Sequence, residues 1–279
     1  MKVARTETEL RGALRGSRAR GRSIGFVPTM GALHPGHLSL VAAARAETDV
    51  VVLSIFVNPL QFGPSEDLAA YPRPEGRDLQ LAEQAGVDVA FLPPVSEMYR
   101  PGRSTTLSLA GPAVVLEGAA RPGHFDGVAT VVAKLFNQVQ PDRAYFGQKD
   151  AQQVAVIKAM VRDLSIPVEV VVCPTVREPD GLALSSRNAY LVGSERTAAT
   201  VLWRALQAGS RAVEEGAAWE VAEKTMEQVV AGEAGVSLEY ARAVDPETFE
   251  PASGRAALLV IAARVGRARL IDNLPIARS

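Results

Sequence analysis

The sequence predicts an α/β fold: a Rossmann-like parallel sheet flanked by helices, followed by a smaller α+β domain. Two patterns carry this expectation. Up to residue 173, apolar runs of strand length alternate with helical periodicity, whereas beyond Pro174 helices come first and antiparallel-type strands follow. The expected division is therefore an N-terminal domain over 1–174 and a C-terminal domain over 175–279.

Composition narrows the class. With 279 residues and 47% hydrophobic content the chain has ample material for a packed core. A net charge of −1, with no long block of like charge, argues against nucleic acid or an anionic membrane surface as partner. The N-terminus lacks an apolar signal core, and no run approaches the ~18 apolar residues of a membrane span, so a soluble cytoplasmic protein is expected. The single cysteine, Cys173, has no internal disulfide partner and reads as a small buried residue in Val170-Val171-Val172-Cys173.

Taken in order, Thr6 or Thr8 caps a helix through about Arg18, with Leu10 and Leu14 on its buried face. A strand over 24–27 leads to Pro28-Thr29-Met30-Gly31-Ala32-Leu33-His34-Pro35-Gly36-His37, and Pro35 suits the first turn of the helix that continues over 38–46. The apolar run 49–57 is a parallel strand covered on both faces, which completes a βαβ unit. A helix over 74–85 and a strand over 87–92 follow; 100–121 carries no secure element and reads as a functional loop or excursion. Arg121-Pro122-Gly123-His124-Phe125-Asp126-Gly127 opens a helix through Gln140, the next strand is 143–147, and a helix runs from 148–153 to about Arg162. The last strand of this domain is 168–173. In the C-terminal domain Ser194 is the expected cap of a helix over 196–215, with a helix over 217–231 and strands over 237–244, 256–265 and 269–271.

The corners after the strands hold the chemistry. His34 and His37 lie three apart on a helix, so they project together beside a terminus whose amides and dipole attract anions. Two of the chain's three histidines fall here, which favours a phosphate site over a Gly/Pro-rich turn with incidental surface imidazoles. Gly31 and Gly36 repeat a Walker-loop spacing, but His37-Leu38 replaces its lysine and hydroxyl, and the remaining soft ligands make no closed zinc set. Gln61, in the loop from Asn58 to Pro64, sits at the carboxyl edge where open α/β sheets bind ligands. Lys149-Asp150 occupies another strand-to-helix corner. Ser185-Ser186-Arg187 adds two hydroxyls and a guanidinium suited to phosphate oxygens, and His124 is a second anion-site candidate.

Four such loops converging on one sheet edge would surround a triphosphate with donors and positive charge, as attack at its α-phosphorus requires. Adenylyl transfer is the reading of these residues, supplied by His34, His37, Lys149, Ser185, Ser186 and Arg187. Two alternatives stand beside it: a nucleotidyltransferase whose nucleotidyl ester is the final product, and a nucleotide-binding module without catalysis.

His34-Pro35-Gly36-His37 is similar to the HxGH element of the nucleotidyltransferase superfamily. Together with Ser54-Ile55-Phe56-Val57-Asn58-Pro59-Leu60-Gln61-Phe62-Gly63, Phe146-Gly147-Gln148-Lys149-Asp150, Leu184-Ser185-Ser186-Arg187-Asn188 and Leu270-Ile271-Asp272-Asn273, it resembles the pantoate–β-alanine ligase family over nearly the full chain. The resemblance implies that pantoate and ATP give pantoyl adenylate and pyrophosphate, and that β-alanine then displaces AMP to give pantothenate. It also implies Mg²⁺ and a homodimer. By the same resemblance His34, His37, Lys149, Ser185, Ser186 and Arg187 contact ATP and stabilise the transferring phosphate. Met30, Gly31, Gly147, Asp150 and Val176 line the nucleotide pocket, while Met30, Gln61 and Gln153 hold pantoate. Arg121 and His124 match positions near the site, and the C-terminal domain is the expected lid; where family members often carry an acidic run this chain reads Pro74-Glu75-Gly76-Arg77-Asp78, so either Asp78 alone helps hold Mg²⁺ or the phosphates suffice.

Overall fold

The computed structural model describes residues 1–63 and 68–277, which leaves Pro64 of the Gln61 loop outside the described residues. The chain divides into two compact units: Met1–Gly147 with Val156–Cys173, and Gln148–Ala155 with Pro174–Ser279.

The first unit is a parallel sheet with helices packed on it. In chain order come β1 (Lys2–Ala4), α1 (Glu7–Ala19), β2 (Ile24–Thr29), α2 (Pro35–Glu47), β3 (Val50–Ile55), α3 (Glu75–Gln84), β4 (Val89–Phe91), the short α4 (Val95–Met98) and α5 (Glu117–Ala120), α6 (His124–Val139) and β5 (Arg143–Gly147). After β5, α7 (Ala151–Asp163) leads to β6 (Glu169–Cys173). The strand order is β1-β4-β3-β2-β5-β6, every pairing parallel. From β2 the chain moves outward through β3 and β4, then returns to place β5 on the other flank of β2. The order therefore reverses beside β2, and ligands in such sheets gather at the carboxyl ends of the strands at that reversal.

Sequence pattern explains most of this. Val50, Val51, Val52 and Leu53 are all buried, as a strand covered on both faces demands. Phe136 of α6 meets Phe26 of β2 and Phe146 of β5 edge-on, each at 6.4 Å between ring centroids, which locks the helix across two strands. Thr6 is the cap of α1: its hydroxyl accepts from the Glu9 amide while the Glu9 carboxylate accepts from the Thr6 amide, both at 3.2 Å. The strand β1 was not expected, because its three residues bury only Ala4 and show no periodicity. The excursion over 100–121 is built of short pieces pressed together. A Cβ at Gly118 would stand 1.9 Å from the Ala113 carbonyl oxygen, so only glycine permits that approach.

The second unit contains α8 (Ser194–Ala198), α9 (Val201–Glu214), α10 (Trp219–Ala231), β7 (Val236–Val244), β8 (Ala256–Val265) and β9 (Ala268–Ala277), with an antiparallel sheet of order β7-β8-β9. Leu202, Leu206, Met226, Leu259 and Ile261 belong to its core. Gly209 of α9 lets that helix close on Met226 and Leu259, whose side-chain atoms lie 2.9 and 3.2 Å from where a Cβ would be. Two expectations need correction. The helix expected over 196–215 breaks between α8 and α9, and the cap preceding it is Gly193 at φ 55°, with Ser194 already helical. The strand expected over 269–271 runs on to Ala277, because Pro275 on an edge strand need not forfeit a ladder bond. Gln148–Ala155, which the sequence assigned to the N-terminal domain, packs with the second unit because β9 holds its carbonyls, as described below.

Cys173 is buried, and burial raises its thiol pKa, with the nearby Glu47 charge adding to the rise. A neutral-pH thiol reagent should label Cys173 only when denaturant unfolds the protein. Rapid labelling of the native protein would show that this end of β6 opens on its own.

Candidate functional site

In the first unit β2 delivers the chain to Met30, where Gly31 at φ 85° and Ala32 at φ 50° turn it sharply toward α2. Two consecutive left-handed residues point the Ala32 and Leu33 amides in one direction, and Asp78 from the first turn of α3 receives them. Its Oδ2 accepts from Ala32 N and its Oδ1 from Leu33 N, both at 2.8 Å, with the residue only 1% exposed. A Cβ at Gly31 would lie 2.9 Å from Asp78 Oδ2, so the glycine admits both the dihedral and the carboxylate. Asp78, one of the two ways the resemblance leaves for holding Mg²⁺, anchors the motif loop. Its oxygens are committed to amides in a dry site. Among the described residues no group of three or more His, Cys, Asp or Glu side chains is arranged to hold a metal.

The loop hands over to α2 at His34, with Pro35 in the first turn as the spacing predicts. His34 Nδ1 accepts from Gly36 N at 3.1 Å, and His37 Nδ1 accepts from His34 N at 3.4 Å, a reciprocal cap made by two imidazoles. The rings stack at 4.0 Å between centroids, tilted by 34°. A ring nitrogen that accepts from an amide carries no proton, so each neutral imidazole keeps its N–H at Nε2. The result is two N–H donors beside a helix N-terminus, the arrangement an anion site uses.

The Gln61 loop follows β3 as a tight 3-10 turn over Pro59–Gln61. Asn58 organises it: Oδ1 accepts from Leu60 N at 3.2 Å and from the Tyr99 hydroxyl at 2.7 Å, while Nδ2 donates to Gln61 Oε1 at 3.1 Å and to the Gly127 carbonyl at 3.0 Å. Burial pushes the Tyr99 phenol well above its ordinary pKa, so it serves as a permanent donor. Gln61 Nε2 lies 3.0 Å from Met30 Sδ, which brings together two expected substrate residues from different loops. Gly127 in the first turn of α6 permits this closeness, since a Cβ there would sit 2.3 Å from the Leu60 carbonyl oxygen.

Arg121 and His124 hold the other side of the same loop. His124 Nδ1 donates to the Gln61 carbonyl at 2.8 Å, and Arg121 Nη1 donates to His124 Nε2 at 2.9 Å; a carbonyl on one nitrogen and a guanidinium on the other select the Nδ1–H tautomer. Arg121 Nη2 also reaches the Gln61 carbonyl at 3.4 Å. Asn58 and Tyr99 are the residues the sequence reading missed. Asn58-Pro59 carries a turn signal, but nothing in sequence links it to a tyrosine 41 residues away.

The remaining candidates belong to the second unit, apart from Gly147, which ends β5. Lys149 and Asp150 lie in the 3-10 turn Gln148–Asp150, their charged atoms 3.5 Å apart, and Gln153 follows in the first turn of α7. Val176 begins a small hairpin: its carbonyl accepts from Leu184 N at 2.9 Å, and Arg177 bridges to Ala183. Ser185 then caps the 3-10 helix Ser186–Tyr190, its oxygen accepting from Arg187 N at 3.2 Å, which leaves the hydroxyl proton able to donate outward. Asn188 Oδ1 and Thr175 Oγ1 are buried with no hydrogen-bond partner among the described residues, polar capacity of the kind a ligand completes.

The parallel α/β sheet, with two imidazoles capping the helix after β2, goes with a family match that gives the class: an enzyme of the ligase type. A family model described as pantoate-beta-alanine ligase matches residues 2–275. Pantothenate synthetase of Chloroflexus aggregans is 54% identical over 277 residues, covering 98% of this chain and 99% of that protein; the Caldicellulosiruptor saccharolyticus enzyme is 52% identical over 270 residues, covering 95% and 96%. Among solved structures, pantothenate synthetase of Thermus thermophilus matches with a TM-score of 0.93 and 51% identity over 98% of this chain and 99% of that one. The Francisella tularensis pantoate-beta-alanine ligase, complexed with beta-gamma ATP and beta-alanine, matches with a TM-score of 0.81 and 37% identity over 98% and 97%. The chain belongs to the pantoate–β-alanine ligase family. No helix among the described residues is long and apolar enough to cross a membrane.

The two roles open to Asp78 separate in a measurement on metal-free protein. Asp78→Asn turns an NH₂ group toward one of the two amides, and should lower unfolding stability by about 1–3 kcal/mol with no metal present. Unchanged stability, with a shifted Mg²⁺ dependence of activity, would return Asp78 to the metal.

Proposed function

We propose that the chain condenses pantoate with β-alanine to pantothenate at the expense of ATP, through a pantoyl adenylate, releasing pyrophosphate and AMP. The observation that carries this reading is the reciprocal cap of His34 and His37, which sets two imidazole N–H donors at the amide-rich end of α2. The names of the relatives supply the substrates.

In the first half-reaction a pantoate carboxylate oxygen attacks the α-phosphorus, and the bond to the pyrophosphate oxygen breaks. Negative charge grows on the pentavalent centre and on the leaving group. His34 and His37 donate Nε2–H bonds to phosphate oxygens, and Lys149, Arg187, Ser185 and Ser186 are assigned to ATP by the family resemblance, as charge and donors for a transferring phosphate. Preset donors of this kind do not have to reorganise as the charge develops, which is why they lower the barrier. Met30, Gly31, Gly147, Asp150 and Val176 line the nucleotide. The family resemblance assigns Gln61 and Gln153 to the pantoate hydroxyl and carboxylate groups; Gln61 adjoins Met30 and is held by Asn58 and by the Arg121–His124 pair. In the second half-reaction the neutral β-alanine amine attacks the acyl carbonyl, loses a proton, and AMP departs with the carboxylate-derived oxygen.

Mg²⁺ enters as the companion of the triphosphate. Asp78, engaged by two amides, does not fit as its ligand, and no step above runs through the metal. We extend the reading to a homodimer working in the cytoplasm.

Purified protein with Mg²⁺ should exchange labelled pyrophosphate into ATP with pantoate alone, and not with β-alanine alone or with neither. Exchange without pantoate, or folded protein that binds ATP and never exchanges, would overturn the adenylate. Lys149→Ala should slow the exchange by about 10²-fold, the usual cost of one preorganised donor. A folded Lys149→Ala protein with near-normal exchange would remove Lys149 from the machinery.

A further inference from the structure

The middle of β9 carries two buried polar residues, Asp272 and Asn273, that bind no substrate in the reading above. Asp272 and Asn273 are 4% and 3% exposed. Asn273 Nδ2 donates to the carbonyls of Gln148 and Lys149, at 2.9 Å each, and its Oδ1 accepts from Gln148 Nε2 at 3.0 Å. Asp272 faces the other way. Its Oδ2 accepts from Arg177 Nη1 at 2.6 Å, and its Oδ1 from Arg177 Nη2 at 2.9 Å and from Asn273 N at 2.8 Å. The same guanidinium donates to the Gly181 carbonyl at 3.0 Å and lies 3.8 Å over the Trp203 ring. Gly181, at φ 91°, sits where a Cβ would be 1.9 Å from Trp203 Cδ1, so the turn of the 176–184 hairpin is pinned against that ring.

We propose that Arg177, Asp272 and Asn273 are positioning residues for adenylate formation: through β9 they set the backbone that carries Lys149 and the hairpin that carries Ser185, Ser186 and Arg187.

Three features favour this over simple cohesion. Every bond of Asn273 to the corner goes to Gln148 or to the main chain of Lys149, so the network acts on the Lys149 backbone and makes no bond to its ammonium, whose contact is with Asp150 at 3.5 Å. The hairpin held by Arg177 ends at Ser185, one residue beyond the Leu184 amide that closes it. Burial alone pushes the Asp272 carboxyl pKa up, opposed by the Arg177 guanidinium and by the positive charge of Lys149. Burying a carboxylate so deeply is costly unless its geometry is used, and bidentate Arg–carboxylate pairing is a directional constraint as well as an attraction.

The proposal rests on the ATP-dependent reading, so wild-type protein is assayed first: absence of pantoate-dependent pyrophosphate exchange there ends the functional reading, not this one. With exchange in hand, Asn273→Ala should lower its maximal rate by about tenfold to 10²-fold, the range for a small misplacement of a reacting group, while the KM for pantoate stays put. The deciding measurement is the double-mutant cycle. In a Lys149→Ala background the further loss from Asn273→Ala should shrink to about twofold or less, because coupled residues are not additive. A full loss in that background, or wild-type exchange by Asn273→Ala, overturns the proposal. Asn273→Asp, which keeps the shape and removes the two N–H donors, should reproduce the loss in folded protein. If both variants unfold, Asn273 serves stability and the positioning role is refuted.

Discussion

The contact on which the first unit's site depends is the one between the Asp78 carboxylate and the Ala32 and Leu33 amides. A chain leaving β2 has two amides with no ladder to join, in a turn that needs left-handed dihedrals at Gly31 and Ala32. Unpaired, those amides would cost free energy on burial. One carboxylate satisfies both and thereby fixes the approach of the chain to α2. The imidazole cap then follows from geometry: with His34 held in extended conformation before Pro35, its Nδ1 reaches the Gly36 amide and its own amide reaches His37. The two backbone hydrogen bonds thus favour the tautomer of each ring that leaves Nδ1 as acceptor.

The second unit solves a comparable problem differently. Among the described residues its antiparallel sheet has no strand-to-helix corners of its own, and the segment 148–155 and the hairpin 176–184 are held by side chains in the middle of β9. Asn273 supplies what a neighbouring strand would: donors for two carbonyls that have left the ladder. Asp272 and Arg177 do the same for the hairpin turn, through the Gly181 carbonyl and the face of Trp203. Side chains that complete main-chain hydrogen bonding carry shape without closing the surface to a ligand.

Periodicity made the parallel sheet, the two long helices of the second unit and the start of α2 readable, because each buries a continuous apolar stripe or obeys a local rule such as proline in the first turn. The same local logic pointed to His34 and His37, whose interaction spans three residues. It failed where partners are far apart in sequence. Asp78 looks like any acidic residue in a helix's first turn, and only its contact with amides 45 and 46 residues earlier separates a loop anchor from a metal ligand. Asn58 and Tyr99 escaped for the same reason, and β1 because three residues with one buried side chain make no pattern. Asp272, Asn273 and Pro275 fall beyond the strand expected over 269–271, because polar residues and a proline interrupt its apolar run, although the strand continues to Ala277.

A division of labour follows from these particulars. Residues whose side chains are offered to a substrate in the proposed chemistry, such as His37, Gln61 and Lys149, are each held by a second residue that is itself buried or tied to backbone. His37 is held through the amide of His34, Gln61 by Asn58 with Tyr99 behind it, and the Lys149 backbone by Asn273 with Asp272 behind it. Long polar side chains lose conformational entropy when they are ordered by a ligand, and that cost falls when the fold has ordered them already. The buried polar groups at Asn58, Asp78, Asp272 and Asn273 contribute little as hydrophobic packing, so their burial makes physical sense as pre-organisation. On this argument the polar interior of each unit supports the residues assigned to the proposed chemistry, through stability at Asp78 and through the placing of the Lys149 backbone at Asn273.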